Sequence, residues 1–322
     1  MDCCFTICSN NYIHKAQVLA ASIKAYSDTS VFLFLADAKS EKIDYATLGF
    51  TKVFFLEEIG ISNLQWMKEN YQLVELNTAI KPFAFNYLFT KHDATHVYFF
   101  DPDIKLFQSI DFFSGFWGNN SVLLTPHILT PLPFDKKKPD ENLFLNHGIY
   151  NLGFLGLKNT DVTRQLVDWW TQRSYEKCVI DLREGYFVDQ LWFNLVPLFF
   201  KAVTVIEHKG CNAAYWNLHE RNLFIENNAY KISDRESLVF FHFSGVDLRL
   251  KNISRLPNFR YSFADRPILK QLYQEYIDQC NEYKPDQYLS VSYFDGKYPL
   301  PKPQPSIIER IVKKLKSTLL DA

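Results

Sequence analysis

The chain has 322 residues, 47% of them hydrophobic, which suffices for a sizeable core in one large or two smaller domains and excludes a disordered protein. With 35 basic against 36 acidic residues the formal net charge is -1, so no global attraction to nucleic acid exists and none is expected as a partner. Aromatic residues reach 16%, which suits a bulky core and supplies stacking faces for a base or a sugar ring.

From the amino terminus, Cys3, Cys4 and Cys8 alternating with Phe5 and Ile7 predict a buried strand over 4–9 in preference to a cysteine metal cluster. The six cysteines lack paired ligand spacing and the first residues carry no secretory signal, so reduced thiols and a cytoplasmic location are expected. A helix follows over 12–26, with Ile13, Ala16, Val18, Leu19, Ala20 and Ile23 on its apolar face. Then come a strand at 31–36 closed by Asp37, a polar helix-like piece, a strand at 52–56 and a long helical region at 64–91. This alternation predicts a parallel sheet of βαβ units.

The next apolar run, beginning at His96, ends in Asp101-Pro102-Asp103. Side chains alternate along an extended chain, so both carboxylates are expected to point the same way from the end of a central strand, where open α/β sheets bind ligands. Two like charges held together call for a cation. Carboxylate oxygens suit Mg²⁺ or Mn²⁺, whose shell is completed by water and a substrate's phosphates; a solvated turn is the bland alternative.

Further on, strands at 121–126 and 149–157 flank a stretch, 128–146, in which Pro131, Pro133 and Pro139 break regular structure and Lys136, Lys137 and Lys138 keep it solvated. It reads as a surface loop or a mobile lid, with His127 and His147 at its ends as acceptor-site candidates. Helices are expected over 161–178 and 188–200, strands over 202–207 and 238–243, and a packed helix over 267–283. The segment 210–217, with Tyr215 and Trp216, pairs amides with aromatic faces and either lines a sugar site or belongs to the core. Beyond Pro299 a Pro- and Lys-rich linker leads into a short basic amphipathic helix, which suits adsorption to an anionic membrane surface or docking on the main domain. No window is long and apolar enough to cross a bilayer.

Taken in order, Cys8-Ser9-Asn10-Asn11-Tyr12 after the first strand, Asp101 with Asp103, Asn151-Leu152-Gly153 in a strand, Asp189-Gln190 opening a helix, and His242-x-x-Gly245 resemble the family-eight type glycosyltransferases. These are retaining enzymes of the nucleotide-sugar-binding GT-A fold, and the resemblance spans about residues 3–250. It implies an α/β fold with a mixed, mostly parallel sheet flanked by helices, divided as a catalytic domain (1–265), a helical extension (266–298) and the linker with its basic helix (299–322). It further implies metal-dependent transfer of a sugar from a nucleotide-sugar donor, UDP-linked by preference, to a glycan, lipid-linked saccharide or other hydroxyl acceptor in bacterial-style surface-polysaccharide assembly. The cytoplasmic protein would then work as such or peripherally at the inner face of the membrane through its tail.

By the same resemblance Asp101, Asp103 and His242 hold Mn²⁺ or Mg²⁺, while Thr6, Cys8, Asn10, Asn11 and Tyr12 contact the nucleotide. Lys81, in the helix before the Asp-x-Asp strand, approaches the donor, and Asn151, Gly153, Asp189 and Gln190 surround the transferred sugar. The chain departs from the family after Gly245: where the pattern continues x-x-Lys-Pro-Trp, Leu248 stands at the lysine. Arg249 or Lys251 supplies the phosphate contact, or it is absent. Retention with Gln190 on the reactive side is implied; Asp189 acting as a base would instead give inversion. A sugar nucleotidyltransferase built on the same half-site and a non-catalytic carbohydrate-binding protein are the rival readings.

Overall fold

The computed structural model describes residues 1–233, 236–246 and 249–291, so the linker and basic helix expected over 299–322 lie outside the described residues. The strands are β1 (Asp2–Cys8), β2 (Ser30–Leu35), β3 (Lys52–Phe55), β4 (His96–Phe100), β5 (Ile104–Leu106), β6 (Val122–Pro126), β7 (Tyr150–Lys158), β8 (Ile180–Asp181), β9 (Tyr186–Phe187), β10 (Val203–Val205), β11 (Ala213–Ala214), β12 (Phe224–Glu226), β13 (Ala229–Ile232), β14 (Glu236–Ser237) and β15 (Phe240–His242). The α-helices are α1 (Ile13–Lys24), α2 (Leu64–Asn70), α3 (Leu73–Ala79), α4 (Lys81–Lys91), α5 (Ser114–Trp117), α6 (Glu141–His147), α7 (Asp161–Ser174), α8 (Val196–Phe199), α9 (Pro267–Glu282) and α10 (Asp286–Leu289).

Seven strands form the main sheet in the order β10-β6-β7-β4-β1-β2-β3. All neighbours run parallel except β7, which is antiparallel to both β4 and β6, so the expected mixed, mostly parallel α/β sheet is present with the Asp-x-Asp strand at its centre. Strands covered on both faces read as continuous apolar runs, and in β1 every residue after Asp2 is buried. One face packs Phe5, Phe34, Phe54 and Phe99 against Phe85 of α4 and Trp170 of α7; the other packs Cys4, Tyr98, Phe100 and Phe154 against Leu19 and Ile23 of α1 and against Phe240. A second sheet of three short strands, β11-β15-β5, lies beside the end of β4. Helix α9 closes over it, with Tyr276 stacked on Phe243 at 3.8 Å between ring centroids.

Several expected elements resolve differently. The helical region 64–91 is three helices, because Tyr71 and Gln72 turn extended and the Gln72 N–H donates to the Glu75 carboxylate at 2.8 Å at the start of α3. Pro82 sits in the first turn of α4, where its missing N–H has no helical partner to lose. The polar piece after Asp37 is a single short 3-10 turn, Tyr45–Thr47. Instead of a helix over 188–200, a turn carrying Asp189 and Gln190 precedes a short 3-10 segment and α8. The stretch 128–146 is tied down at its start and its middle: the Leu129 N–H donates to Glu220 at 2.9 Å, Lys138 N–H donates to Asn258 O at 3.1 Å, and Arg260 pairs with Asp135. Its far end forms α6.

At the heart of the main sheet Phe5 is fully buried, with ring centroids 4.8 Å from Phe85, 5.1 Å from Phe99 and 5.5 Å from Phe34. Phe5→Ala is expected to destabilise the chain by about 3–5 kcal/mol through lost transfer energy plus the cavity left behind. The shift of the urea unfolding midpoint at unchanged slope measures it.

Candidate active site

Backbone pairing, before any side-chain chemistry, assembles the site. β15 runs antiparallel to β5 with His242 opposite Ile104, and the Phe243 N–H donates to Asp103 O at 2.8 Å. β4 lies beside β7, and the Asp101 N–H donates to Gly153 O at 2.7 Å. Asp101 and Asp103 do not face the same way through strand alternation, as the sequence suggested. The chain turns at Pro102, closed by the Ile104 N–H on Asp101 O at 3.0 Å, and that turn brings both carboxylates to one imidazole. His242 Nε2 lies 3.0 Å from Asp103 Oδ1 and 3.7 Å from Asp101 Oδ2.

One ligand atom from each of these three residues falls within 4.8 Å of the others, the only such His/Cys/Asp/Glu group among the described residues. Gly153 makes the close approach feasible. A Cβ there would meet His242 Cε1 at 2.6 Å and Asn151 Oδ1 and Asp101 Oδ2 at 2.8 Å each, distances that no side chain tolerates.

Electrostatics follow from this crowding. Burial pushes Asp103 up, but the charge and hydrogen bond of His242 outweigh it and hold the carboxyl below its usual range. Burial would lower His242; the two carboxylates, Asp103 first, raise it instead. Burial raises Asp101 against the opposing pull of Lys81 and His242. Lys81 Nζ donates to Leu152 O at 3.0 Å, lies 3.3 Å from Asp189 Oδ2 and rests 4.7 Å from the centre of the Phe99 ring. Asp189, 2% exposed, is pushed up to about 6 by burial, which Lys81 only partly offsets. Three carboxylates, Asp101, Asp103 and Asp189, gather beside the Lys81 ammonium, with Lys15 acting on Asp103 from farther off, a surplus of acid suited to a divalent cation. Two carboxylates and an imidazole suit Mn²⁺ well and Mg²⁺ through the oxygens.

The carboxylate pair stands between two cavities that share Val74, Thr78 and Lys81. One, about 450 Å³, continues past His127, Asn151, Gly153, Asp189, Gln190, Trp216 and His242. The other, about 230 Å³, reaches the end of β1 at Ile7, Cys8, Ser9 and Tyr12. Of the expected nucleotide residues, Cys8 and Tyr12 line this smaller cavity, Tyr12 being 38% exposed. Asn10 is occupied internally: its N–H donates to Asp37 at 3.1 Å, its amide to Ala38 O at 3.0 Å, and its Oδ1 accepts from Tyr45 at 2.7 Å. Asn11 accepts from Ser9 at 2.5 Å, and Thr6 is fully buried within β1.

Gly245 adopts a positive φ of 65° in the turn after β15. Among the described residues neither Arg249 nor Lys251 borders the cavities that hold Asp101; Lys251 lines a separate one of about 340 Å³ formed by 251–263. In the segment 210–217, Asn212 and Asn217 are buried and bonded to backbone carbonyls, whereas Trp216 packs edge-on against His242 at 5.2 Å.

Sequence reasoning missed three contributors, Val188, Val74 and Thr78. Val188 has φ 43°, a conformation unfavourable for a β-branched residue, and this turn aims Asp189 and Gln190 into the cleft. No local signal announces it. Val74 and Thr78, four residues apart on one face of α3, were detectable from their spacing with Lys81.

No family model matches the sequence. The chain is similar to two proteins of Bacillus subtilis (strain 168), the uncharacterized YfnF and YfnD, each 26% identical over 277 residues, covering 84% of this chain and 89% and 86% of theirs. Among solved structures it is similar to the galactosyltransferase LgtC in complex with donor and acceptor sugar analogues (16% identity, TM-score 0.48, 88% of this chain and 96% of that one). It is also similar to the glycosyltransferase GlyE of Streptococcus pneumoniae TIGR4 (13% identity, TM-score 0.46, 95% and 67%).

Gly153→Ala is expected to force His242 and Asp101 apart and to weaken Mn²⁺ binding at least tenfold, as measured by electron paramagnetic resonance of free Mn²⁺, with the far-ultraviolet circular dichroism unchanged. A second expectation concerns pH. Burial holds His127 neutral and pushes it down to about 3. The folded value lies below the unfolded one, near 6.5. The stability tied to a neutral His127 is therefore present above about 6.5 and lost progressively as pH falls toward 3. His127→Gln is expected to lose less stability than the wild type between those limits in urea titrations at stepped pH.

Proposed function

We propose that this chain is a metal-dependent glycosyltransferase of GT-A type that moves a sugar from a nucleotide-sugar donor, UDP-linked by preference, to a hydroxyl of a glycan or lipid-linked saccharide in surface-polysaccharide assembly, with retention at the anomeric carbon. The observation that carries it is the Asp101, Asp103 and His242 cluster set between two cavities at the carboxyl ends of β1 and β4. The smaller cavity, with the exposed Tyr12 ring at its edge, suits a nucleoside; the larger, with amides and an aromatic wall, suits the transferred sugar and the acceptor. A bound divalent ion would supply Lewis-acid stabilisation of the negative charge gathering on the departing diphosphate.

The chain's own residues do the rest. Asp101, Asp103 and His242 would hold the ion, and Lys81, one turn from Thr78 at the start of α4, adds fixed positive charge beside the carboxylates. Asp189 is clamped by Lys81 and nearly inaccessible, which suits orienting a sugar hydroxyl better than taking a proton from an incoming acceptor. This supports retention over inversion. Gln190 accepts from the Leu152 N–H at 3.1 Å and donates to His147 O at 2.8 Å, leaving one amide N–H for the sugar.

A panel of nucleotide sugars, screened for thermal stabilisation with and without Mn²⁺, tests the reading. Selective, Mn²⁺-dependent stabilisation by UDP-sugars and release of nucleoside diphosphate are expected, with the product's anomeric configuration retained by NMR. Asp103→Asn should lower turnover at least about a hundredfold. Pyrophosphate release from a nucleoside triphosphate would favour a nucleotidyltransferase, and metal-independent sugar binding without turnover a carbohydrate-binding protein.

A further inference from the structure

His242 does not stand alone behind its carboxylates. Its Nδ1 lies 3.2 Å from Asn151 Oδ1, which also accepts the Gly153 N–H at 3.3 Å. The other end of the same amide, Asn151 Nδ2, donates to His127 Nε2 at 3.2 Å and to Gln190 Oε1 at 3.3 Å. His127 Nδ1 lies 3.2 Å from Ile149 O.

Backbone groups fix the direction of every link. Gly153 N–H can only donate, so the Asn151 oxygen must face it, and the His242 Nδ1 beside that oxygen must carry a proton. Ile149 O can only accept, so His127 carries its proton on Nδ1 and presents a lone pair at Nε2. The Leu152 N–H on Gln190 Oε1 and His147 O on Gln190 Nε2 orient the glutamine in the sense that makes Asn151 the donor to it. The chain of bonds is thus polarised in one direction, from His242 through Asn151 and His127 to the carbonyl of Ile149. All hydrogen-bonding positions of Asn151 are occupied within the protein, which leaves none for a sugar hydroxyl.

We infer that Asn151 and His127 are positioning residues for the metal ligand: together they keep a proton on His242 Nδ1, so that Nε2, 3.0 Å from Asp103 Oδ1, is the nitrogen left to bind an ion. This rests on the metal reading above and assigns Asn151 a role other than direct contact with the transferred sugar. Trp216 and Phe144 hold the His127 ring from two sides, at 5.4 Å and 5.2 Å between centroids, so that the relay has a rigid outer anchor. Partners that orient a ligating imidazole typically change metal affinity by about 10–100-fold when removed.

The test uses the full chain labelled with ¹⁵N-histidine and stripped of metal. Long-range ¹H–¹⁵N correlation distinguishes the tautomers of the eight histidines, with His242→Gln and His127→Gln assigning the two signals. His127 is expected to carry its proton on Nδ1, the minority form of free imidazole, and His242 to hold an Nδ1 proton whether or not Nε2 also carries one. Mn²⁺ affinity is read in parallel by electron paramagnetic resonance. His127→Phe, which keeps the packing but removes the acceptor, is expected to weaken binding at least tenfold. His127→Gln, whose amide can accept from Asn151 and donate to Ile149, should stay within about twofold of wild type, the separation a purely structural role would not produce.

Absence of the Nδ1 proton from either His242 or His127 overturns the inference. So does His127→Phe binding Mn²⁺ like wild type, or His127→Gln binding as poorly as His127→Phe. Should the wild-type chain bind no Mn²⁺, the metal reading fails, and the tautomers alone sustain or overturn the relay.

Discussion

The short antiparallel ladder between β15 and β5 is the constraint on which the site depends. Nearly 140 residues separate Asp103 from His242 in the chain, yet Ile104 lies opposite His242, so the imidazole and the carboxylates are neighbours by backbone geometry alone. Burial of Phe240, Phe241 and Phe243 drives this ladder together, and α9 seals it from outside. The polar centre is therefore held by apolar surroundings, and its geometry does not rely on attraction among the charges it gathers.

A second constraint is space. Gly153 leaves no room for a side chain where His242, Asn151 and Asp101 converge, and Gly148 does the same beside Gln190, where a Cβ would approach the Gln190 side chain at 2.8 Å. Val188 is held in an unfavourable conformation one residue before Asp189. Close backbone approach and local strain thus concentrate around the same group of side chains, as they do where the fold is built to pre-organise chemistry.

The charge pattern follows from where each residue enters. Lys81 reaches the cleft from the first turn of α4 and neutralises Asp189, while His242 and the Asp-x-Asp turn remain directed at the boundary between the two cavities. Buried ionic groups are costly unless each finds a partner. Here Lys81 offsets part of the burial cost of Asp189, and the Asp101 and Asp103 carboxylates are concentrated where a cation and a diphosphate would meet.

Much of this was legible in the amino-acid order. Continuous apolar runs gave the strands of the parallel half of the sheet, because strands buried on both faces have no polar alternation to interrupt them. The Asp-x-Asp pair, Lys81, the Asn-x-Gly strand, Asp189-Gln190 and His242 could all be singled out as candidates. Their mutual arrangement could not. That Asp101 and Asp103 converge through a turn at Pro102, that Asn10 is consumed by Asp37, Ala38 and Tyr45, and that Lys251 faces another cavity are outcomes of long-range pairing. The sequence by itself determined which chemical groups are present and which strands carry them. Only the tertiary structure decided which imidazole nitrogen meets the carboxylates, since that is set by the amide of Asn151 and the ring of His127, far from His242 along the chain but within hydrogen-bonding distance in the fold.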